Sequence, residues 1–240
     1  MEGTHNSPMA TAAPVRQRDA DRTRNEILEM ATQEFAERGY SGGRVDEIAA
    51  KTRTTKRMIY YYFGSKEGLW IAVLERSYAS IRRAEQELKV EHLEPRQAIR
   101  RLAEFTFDHH ESRPDFIRLV SIENIHNAEH MARMKSFASL NTPVIALISS
   151  ILERGYAMGA FRRRVEPIDI HFVISAFCFF RVANRATFGT IFGRDLLATE
   201  LRDHYREMLG DLVVDYLTAD GHAGGRRGGG GEPLPAGRSS

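Results

Sequence analysis

Apolar residues recur every three or four positions along most of this chain, which is the spacing of amphipathic helices. The first regular stretch begins at Asp21, places Ile27, Ala31 and Phe35 on one face, and ends at Gly39. No alternating, strand-like pattern occurs in the sequence. The pattern therefore predicts an all-α protein.

Two short helices follow the first one. The earlier of them is marked by Val45 and Ile48, after which Thr52 to Thr54 reverse the chain. The later one begins behind Thr55, a helix-capping residue, and ends at Gly64. A helix-turn-helix has this outline, and its second helix enters the major groove of DNA. Helical hairpins in other proteins share this outline, so the amino-acid composition of the unit is needed to distinguish a DNA-binding helix-turn-helix from an ordinary hairpin.

The unit has the composition expected of a surface that binds a polyanion. Lys51 to Lys66, KTRTTKRMIYYYFGSK, contains five basic residues, no acidic residue and a run of aromatic residues. The net charge of the whole chain is only +2, so it is the local clustering that indicates nucleic acid. Ser65 begins another helix, whose free amides form a phosphate-sized anchor together with Lys66.

The remainder is predicted to consist of longer helices. They begin, in order, at Ser65, Pro95, Asp115, Asn141, Pro167, and either Asp195 or Thr199. The first should reach about His92 and connect two bodies, and the third should break near His126 to His130. The predicted organisation is a disordered arm (1–20), a helix-turn-helix domain (21–66), a helical effector-binding and dimerisation domain (67–220) and a disordered Gly-rich tail (221–240).

The last two helices, within residues 167–187 and 199–219, are apolar over a wide arc. One subunit of this size does not readily cover so much apolar surface, whereas a symmetric four-helix interface between two copies does. A homodimer is therefore expected. Periodicity alone does not separate an interface from the core of a monomer, so the monomer stays as the alternative.

Several other classes of protein are disfavoured. A single cysteine, Cys178, excludes an intramolecular disulfide and fits the reducing cytoplasm. The N-terminus lacks the pattern of an export signal, and the longest apolar run, Phe172 to Phe180, is far shorter than the ~20 residues of a membrane span. No nucleophile elbow, phosphate-binding glycine loop or zinc-protease motif is present, so neither an enzyme nor a cofactor is expected.

Residues 21–75 closely resemble the TetR (tetracycline-repressor-like) family of bacterial transcription regulators. The resemblance rests on ILEMATQEFAERGYSGGRVDEIA followed by IYYYFGSKEGL. It implies a dimeric, cytoplasmic repressor that binds a palindromic DNA operator and is released by a small-molecule effector held in the helical C-terminal domain. The residues implied to face DNA are Thr55, Lys56, Arg57, Tyr60, Tyr61 and Lys66, with Arg44 as a further candidate.

Chemistry assigns roles to these residues. Arg57 and Arg44 can each form a bidentate contact with guanine. Tyr60 and Tyr61 can reach phosphates or thymine methyl groups, and Lys66 can fix the register of the protein on DNA by binding a phosphate. Tyr62 is equally suited to core packing and DNA contact. Arg53 stands where the family often has glycine; a left-handed backbone there would cost roughly 1 kcal/mol relative to glycine.

The effector candidates combine large apolar side chains with a few polar groups. They are Phe105, His109, Phe116, Phe137, Phe177 and Arg181. Each aromatic residue also fits an ordinary core position. Arg181 follows nine apolar residues, and it could hold an acidic ligand or pair with an acidic side chain across the dimer.

Two further functions stay open. Glu123, His126 and His130 would share one face of a continuous helix, and histidines four positions apart can bind a metal in a helical metal-binding or enzymatic bundle. No second carboxylate–histidine motif accompanies them, as a di-iron bundle would need. The other function is sequence-tolerant DNA binding, for which the long regulatory portion would be superfluous.

Overall fold

The computed structural model describes the backbone of residues 12–134 and 137–220, and the side chains of residues 18–134 and 142–220. Within these residues the chain is helical and contains no strand, as predicted. The predicted disordered tail and residues 1–11 of the predicted arm lie outside the described residues. The predicted arm needs one correction, because the first helix begins at Ala12 rather than at Asp21.

The first three helices form the head: α1 (Ala12–Gly42), α2 (Val45–Lys51) and α3 (Lys56–Phe63). Gly39 interrupts α1 with φ 73° and ψ 174°, so regular helix ends where the sequence predicted. Gly64, with φ 75°, caps α3 in the same way, because glycine takes positive φ without a steric penalty. The turn between α2 and α3 completes the predicted helix-turn-helix.

Helix α4 (Lys66–Gln86) leaves the head and enters the body of the molecule. The Ser65 hydroxyl caps its start by accepting a hydrogen bond from the Gly68 amide over 3.0 Å. The sequence predicted one continuous helix to about His92. The helix instead ends at Gln86, and after Lys89, which has φ 44°, a 3₁₀ turn covers Val90–His92.

Six helices build the rest of the described body. They are α5 (Pro95–Ser112), α6 (Pro114–Ile125), α7 (Phe137–Ala157), α8 (Pro167–Ala183), α9 (Arg185–Phe192) and α10 (Thr199–Thr218), with a 3₁₀ turn at Met131–Arg133 between α6 and α7. Prolines occupy the first turn of α5, α6 and α8. Proline is preorganised for that position and needs no N–H there, which is why the sequence located these starts.

Two predicted boundaries in the body are wrong. Helix α7 begins at Phe137 rather than Asn141 and carries Pro143 inside it; a proline removes one hydrogen bond, and packing against α4 and α8 supports the helix around it. The apolar helix predicted over 167–187 breaks at Asn184 into α8 and α9, which meet at a bend of 70°. No single helix in the described residues is long and apolar enough to cross a membrane, and only this bent pair reaches that criterion together.

Buried apolar residues form two cores. The head core contains Phe35, Ile48, Ile59 and Trp70, and it continues into the body through Leu119 of α6. The body core is built from α5, α7, α8 and α10. Because α6 supplies side chains to the head core, the head and the body are joined by packed surface and by the connecting helix.

The thiol of Cys178 belongs to the body core. Only 1% of the residue is exposed, and burial raises the pKa of the thiol to about 12. The thiolate is therefore scarce at neutral pH, which leaves the residue without nucleophilic chemistry.

Candidate DNA-binding surface and effector cavity

Helix α3 presents one face to the head core and the opposite face to solvent. Ile59 is fully buried and anchors the inner face, and the Thr55 hydroxyl caps the helix by accepting a hydrogen bond from the Met58 amide over 3.2 Å. The predicted DNA-facing residues Lys56, Arg57, Tyr60 and Tyr61 are all exposed, with Tyr61 at 78%. The structure thus brings the basic and aromatic groups of α3 to one accessible surface.

Tyr62 and Phe63 lie at the end of α3 and are half-buried against the head core. The guanidinium of Arg24 stacks over the Phe63 ring, 5.3 Å from its centroid, and so fastens this end of α3 to α1. This placement favours the supporting role for Tyr62 over contact with DNA.

Arg44 precedes α2 and is exposed on the same head. Its Nη2 donates to Oδ2 of Asp46 over 2.7 Å, and this hydrogen bond lowers the pKa of the Asp46 carboxyl. Both side chains are more than half exposed, so the pair is weak and Arg44 can leave Asp46 to contact guanine or phosphate.

Glu34 fixes the position of α2 against α1. Its carboxylate is fully buried, accepts from Lys51 Nζ over 3.0 Å and from the Arg44 amide over 3.3 Å, and lies 3.3 Å from Arg38 Nε. A buried carboxylate with several donors holds its neighbours firmly, because losing one partner leaves a desolvated charge. Lys51 is therefore occupied within the head.

Lys66 is less free than its predicted role as a phosphate anchor suggested. Its Nζ donates to the Ser41 carbonyl oxygen over 3.1 Å and lies 5.2 Å from the centre of the Tyr40 ring. Partial burial lowers the pKa of its ammonium group. Lys66 thus ties the start of α4 to the end of α1, beyond the interruption at Gly39.

A cavity of about 430 Å³ lies inside the body, and α4 forms part of its wall. Five helices and the 3₁₀ turn after α6 contribute side chains. The apolar wall includes Tyr78, Ile81, Phe116, Val120, Met131, Val144, Ile145, Ile168, Phe172 and Phe179, and the polar groups are Arg82, Glu85, Thr106, His110, Asn124, His171 and Ser175. The volume and lining are those of a small-molecule site.

The polar groups of the cavity include an ion pair and two uncharged histidines. Arg82 Nη1 donates to Glu85 Oε2 over 2.5 Å, and both side chains are buried. Burial is the main reason why the pKa of both imidazoles, His110 and His171, is lowered to about 4. The next largest cause is the charge of His109 for His110, and the charge of Arg82 for His171. Burial also raises the pKa of Glu85, against the opposing effect of Arg82.

Of the predicted effector residues, only Phe116 lines this cavity. His109 lies in a neighbouring polar groove between α1, α4 and α5, and Phe105 stacks beside it with ring centroids 5.9 Å apart. The cavity receives His110 instead, because adjacent helical residues point about 100° apart. The side chain of Phe137 lies outside the described residues, so its role stays a prediction.

Phe177 and Arg181 lie away from the cavity. Phe177 packs against the body core and the Tyr205 ring. Arg181 is buried; it pairs with Glu111 of the same chain, donates to the Leu196 carbonyl oxygen over 3.0 Å and stacks over Phe107 at 3.8 Å. The ion pair predicted across the dimer is thus made within the chain.

The predicted metal-binding face does not form. Helix α6 ends at Ile125, and Asn127 and Ala128 take positive φ, so Glu123, His126 and His130 do not share one helix. The Glu123 carboxylate instead accepts from the Trp70 indole N–H over 2.9 Å, the His130 amide over 2.8 Å and the Met131 amide over 3.1 Å. The described residues contain no group of three side chains that could hold a metal ion.

This carboxylate joins the cavity to the head. Trp70 belongs to the head core, where its ring meets Phe35 edge-on at 5.2 Å. Met131, whose amide binds the same carboxylate, lines the cavity. Sequence reasoning missed this link because its members are 53 and 8 positions apart along the chain.

A wider groove of about 950 Å³ separates the end of α1 and α6 from α8 and α9. It contains Arg118 and the Arg185–Asp195 ion pair, whose oxygen and nitrogen lie 2.6 Å apart. The groove is larger than the cavity but has a more polar lining, whereas the cavity has the mainly apolar lining that small-molecule sites favour.

Large apolar residues remain exposed on α8 and α10. They include Phe172, Val173 and Phe180 on α8, and Leu212 and Tyr216 on α10, each between 43% and 68% exposed. Several large apolar residues exposed on neighbouring helices are typical of an interaction site on a protein. They lie within the two segments for which the sequence predicted a dimer interface.

Sequence comparison matches both parts of the chain to one family. The model described as "Bacterial regulatory proteins, tetR family" covers residues 27–73, and "Tetracyclin repressor-like, C-terminal domain" covers residues 95–213. The HTH-type transcriptional repressor NicS of Pseudomonas putida is 34% identical over 200 residues, which make up 83% of this chain and 94% of that protein. The HTH-type transcriptional repressor SCO4008 of Streptomyces coelicolor is 46% identical over 59 residues, 25% of this chain and 31% of that protein.

Solved structures agree. The transcriptional regulator SCO4942 from Streptomyces coelicolor superposes with a TM-score of 0.59 at 26% identity, covering 81% of this chain and 97% of that one. A TetR-family regulator from Mesorhizobium loti gives 0.61 at 16% identity, covering 82% and 96%, which is similarity of fold alone. With a helix-turn-helix head on a helical body, these matches show that the chain belongs to the TetR family of DNA-binding transcriptional regulators.

Proposed function

We propose that this protein is a cytoplasmic repressor that binds a palindromic operator as a homodimer and leaves it when a small molecule occupies the body cavity. The proposal rests on the position of α4, which contributes to both the DNA-binding head and the cavity. It begins directly after α3, the proposed recognition helix, and four of its residues line the cavity: Tyr78, Ile81, Arg82 and Glu85. The protein acts by binding, without catalysis. Relatives named as repressors support the sign of regulation.

Base recognition falls to the exposed groups of the head. Arg57 carries five N–H donors in the first turn of α3 and can read guanine O6 and N7, as can Arg44 once it leaves Asp46. Lys56, Tyr60 and Tyr61 follow the same face and suit phosphate or thymine contacts. Thr55 both caps α3 and stands at the end that meets the DNA.

Lys66 serves the complex mainly by holding the head in shape. Its bond to Ser41 and its contact with Tyr40 join α4 to α1, so a movement of α4 reaches the head through this lysine as well as through packing. A phosphate near Ser65 would compete for the same ammonium group.

Release follows from a change in the spacing of two heads. A dimer reads half-sites one helical turn of DNA apart, about 34–36 Å, so a tilt of α4 in each subunit removes the fit without unfolding the protein. A ligand that fills the cavity shifts this equilibrium if it binds the ill-spaced state more tightly. Glu123 and Trp70 supply a second path from the cavity to the head core.

The test is binding of the purified protein to duplexes from the DNA flanking its own gene, titrated with salt and challenged with a scrambled competitor. Saturable binding to a palindromic segment that survives the competitor supports specific recognition. Equal affinity for palindrome and scramble would instead indicate the sequence-tolerant DNA-binding protein, and no binding to any duplex at low salt would end the repressor proposal.

Point variants separate base recognition from contributions to affinity that do not depend on the DNA sequence. Arg57→Ala should lose about 1–3 kcal/mol on the cognate duplex and relax preference at one base position, because a bidentate guanine contact disappears. Lys66→Ala should weaken all duplexes alike. Arg101→Ala on α5, an exposed arginine outside the head, is the matched control for loss of one charge. Identical losses on every base variant would remove Arg57 from base recognition.

A further inference from the structure

The polar groups of the cavity are gathered around one buried ion pair. Arg82 and Glu85 lie one turn apart on α4, at 8% and 3% exposure, with 2.5 Å between Nη1 and Oε2. His110 of α5 and His171 of α8 line the same cavity, and most of its other lining residues are apolar. A ligand must therefore satisfy a small polar region while filling an apolar space.

The charges of this region already cancel. Arg82 and Glu85 neutralise each other, and both imidazoles are uncharged at neutral pH because burial keeps the pKa of each near 4. Tyr78 also stays uncharged, since burial raises the pKa of its phenol. On its outer side the pair faces a cleft of about 260 Å³ that contains one cation and one anion, Lys89 and Glu91. The described side chains that line the cavity therefore carry no net charge.

Hydrogen-bonding capacity does remain. The Nε of Arg82 is buried and has no hydrogen-bond partner among the described residues. A guanidinium nitrogen can only donate, so the ligand group that approaches it must be an acceptor. An unmade hydrogen bond of a buried group is costly, which favours a ligand that supplies the acceptor.

A carboxylate would be a poor acceptor here in spite of its strength. It would place a second anion beside Glu85 in a water-poor site, where like charges repel strongly and Arg82 would have to serve both. A neutral carbonyl oxygen accepts the same hydrogen bonds without that cost.

We infer that the cavity binds an electrically neutral, largely apolar molecule carrying one strong hydrogen-bond acceptor, such as an aromatic amide or ketone, and discriminates against the corresponding carboxylate. The inference rests on the proposed function only in identifying this cavity as the effector site. It concerns binding, so it is tested independently of DNA.

The experiment uses matched pairs that differ only in charge: benzamide with benzoate, naphthamide with naphthoate, and indole carboxamide with indole carboxylate. Titration calorimetry on the full chain at neutral pH should show the amide of at least one pair binding about tenfold or more tightly than its acid, from the cost of an uncompensated buried charge. Tighter binding of the acids, or no binding by any member of the three pairs, would overturn the inference.

Variants of the ion pair make the test specific to this site. Glu85→Gln leaves Arg82 unpaired and should reverse the preference toward the carboxylate of the same pair, whereas Arg82→Gln should exclude carboxylates further. Glu153→Gln makes the same chemical change at an exposed position of α7, outside the cavity and the outer cleft, and should leave the preference unchanged. An unchanged preference in folded Glu85→Gln and Arg82→Gln, checked by circular dichroism, would also overturn the inference.

Failure here is distinguishable from failure of the repressor proposal. A chain that binds its operator but prefers carboxylates contradicts only the ligand class. A chain that prefers amides but is not released from DNA by them keeps the ligand class and contradicts the regulatory role of the cavity.

Discussion

Arg53 shows how a single residue can carry strain that its sequence position reveals. It lies in the turn between α2 and α3 and has φ 53°, the left-handed region that glycine enters freely and arginine does not. The sequence predicted this cost because glycine is frequent at the position in the family that the head resembles. The exposed arginine is retained next to the recognition helix, where its charge adds to the basic surface.

Arg53→Gly should therefore stabilise the protein. Relief of the left-handed backbone is expected to raise the free energy of unfolding by about 1 kcal/mol, measured by urea denaturation at one fixed protein concentration. Arg53→Ala removes the same charge but keeps a side chain at positive φ, so it should not gain this stability. Equal stabilisation by both variants would assign the effect to charge.

The polar residues of the body illustrate what sequence does not reveal. Arg181 stood out because nine apolar residues precede it, yet its partner Glu111 lies 70 positions away. Arg82 and Glu85 drew no attention, since charged residues three apart on a helix are ordinary on a solvated face. Their importance comes from burial by α5, α7 and α8, and such burial is decided by tertiary packing.

Among the elements, the helices with local start and stop signals were the predictable ones. Thr55, Gly64 and the prolines of α5, α6 and α8 act through hydrogen bonds and sterics within a few residues, so their effects are visible in the sequence. The start of α7 ahead of Pro143 and the bend between α8 and α9 depend on neighbours elsewhere in the chain. Periodicity predicted that apolar helices exist there and misplaced their ends.

The link between α4 and α6 leads to a prediction about coupling. Trp70→Phe removes the indole N–H that Glu123 accepts and keeps an aromatic ring in the head core. We expect operator binding to persist, while the change in hydrogen exchange that DNA binding induces in residues 123–134 shrinks, because coupling acts in both directions.

Tyr62→Phe is the control for this variant, since it removes a polar group from an aromatic residue in the head without touching Glu123. It should leave the DNA-induced exchange pattern as in the unmodified protein. If Trp70→Phe also shows the full pattern, the Glu123 link does not transmit the state of the head.

For the whole molecule, the exposed apolar stripes on α8 and α10 matter most. A monomer would leave Val173, Phe180, Leu212 and Tyr216 in water, and a dimer paired through these two helices would remove them from it. The sequence shows that α8 and α10 are apolar over a wide arc. It does not show which side of each helix is buried, because this depends on α5, which packs against both helices.

Leu212→Glu should therefore shift the protein to monomers in sedimentation velocity and lower its affinity for a palindromic duplex by an order of magnitude or more, since the second half-site no longer adds to binding. Met158→Glu places the same charge on another exposed apolar residue, outside α8 and α10, and should sediment as the unmodified protein does. A Leu212→Glu protein that remains dimeric would move the interface elsewhere.

Trp70 is the only tryptophan in the chain and stands at the junction of head and body. Its indole N–H binds a carboxylate, and the His130 ring lies 6.0 Å from its centroid. Indole emission responds to both surroundings, and all tryptophan emission of the unmodified protein comes from this one site. The molecule therefore carries its own optical reporter, through which DNA fragments and cavity ligands can be screened in the same cuvette without a label.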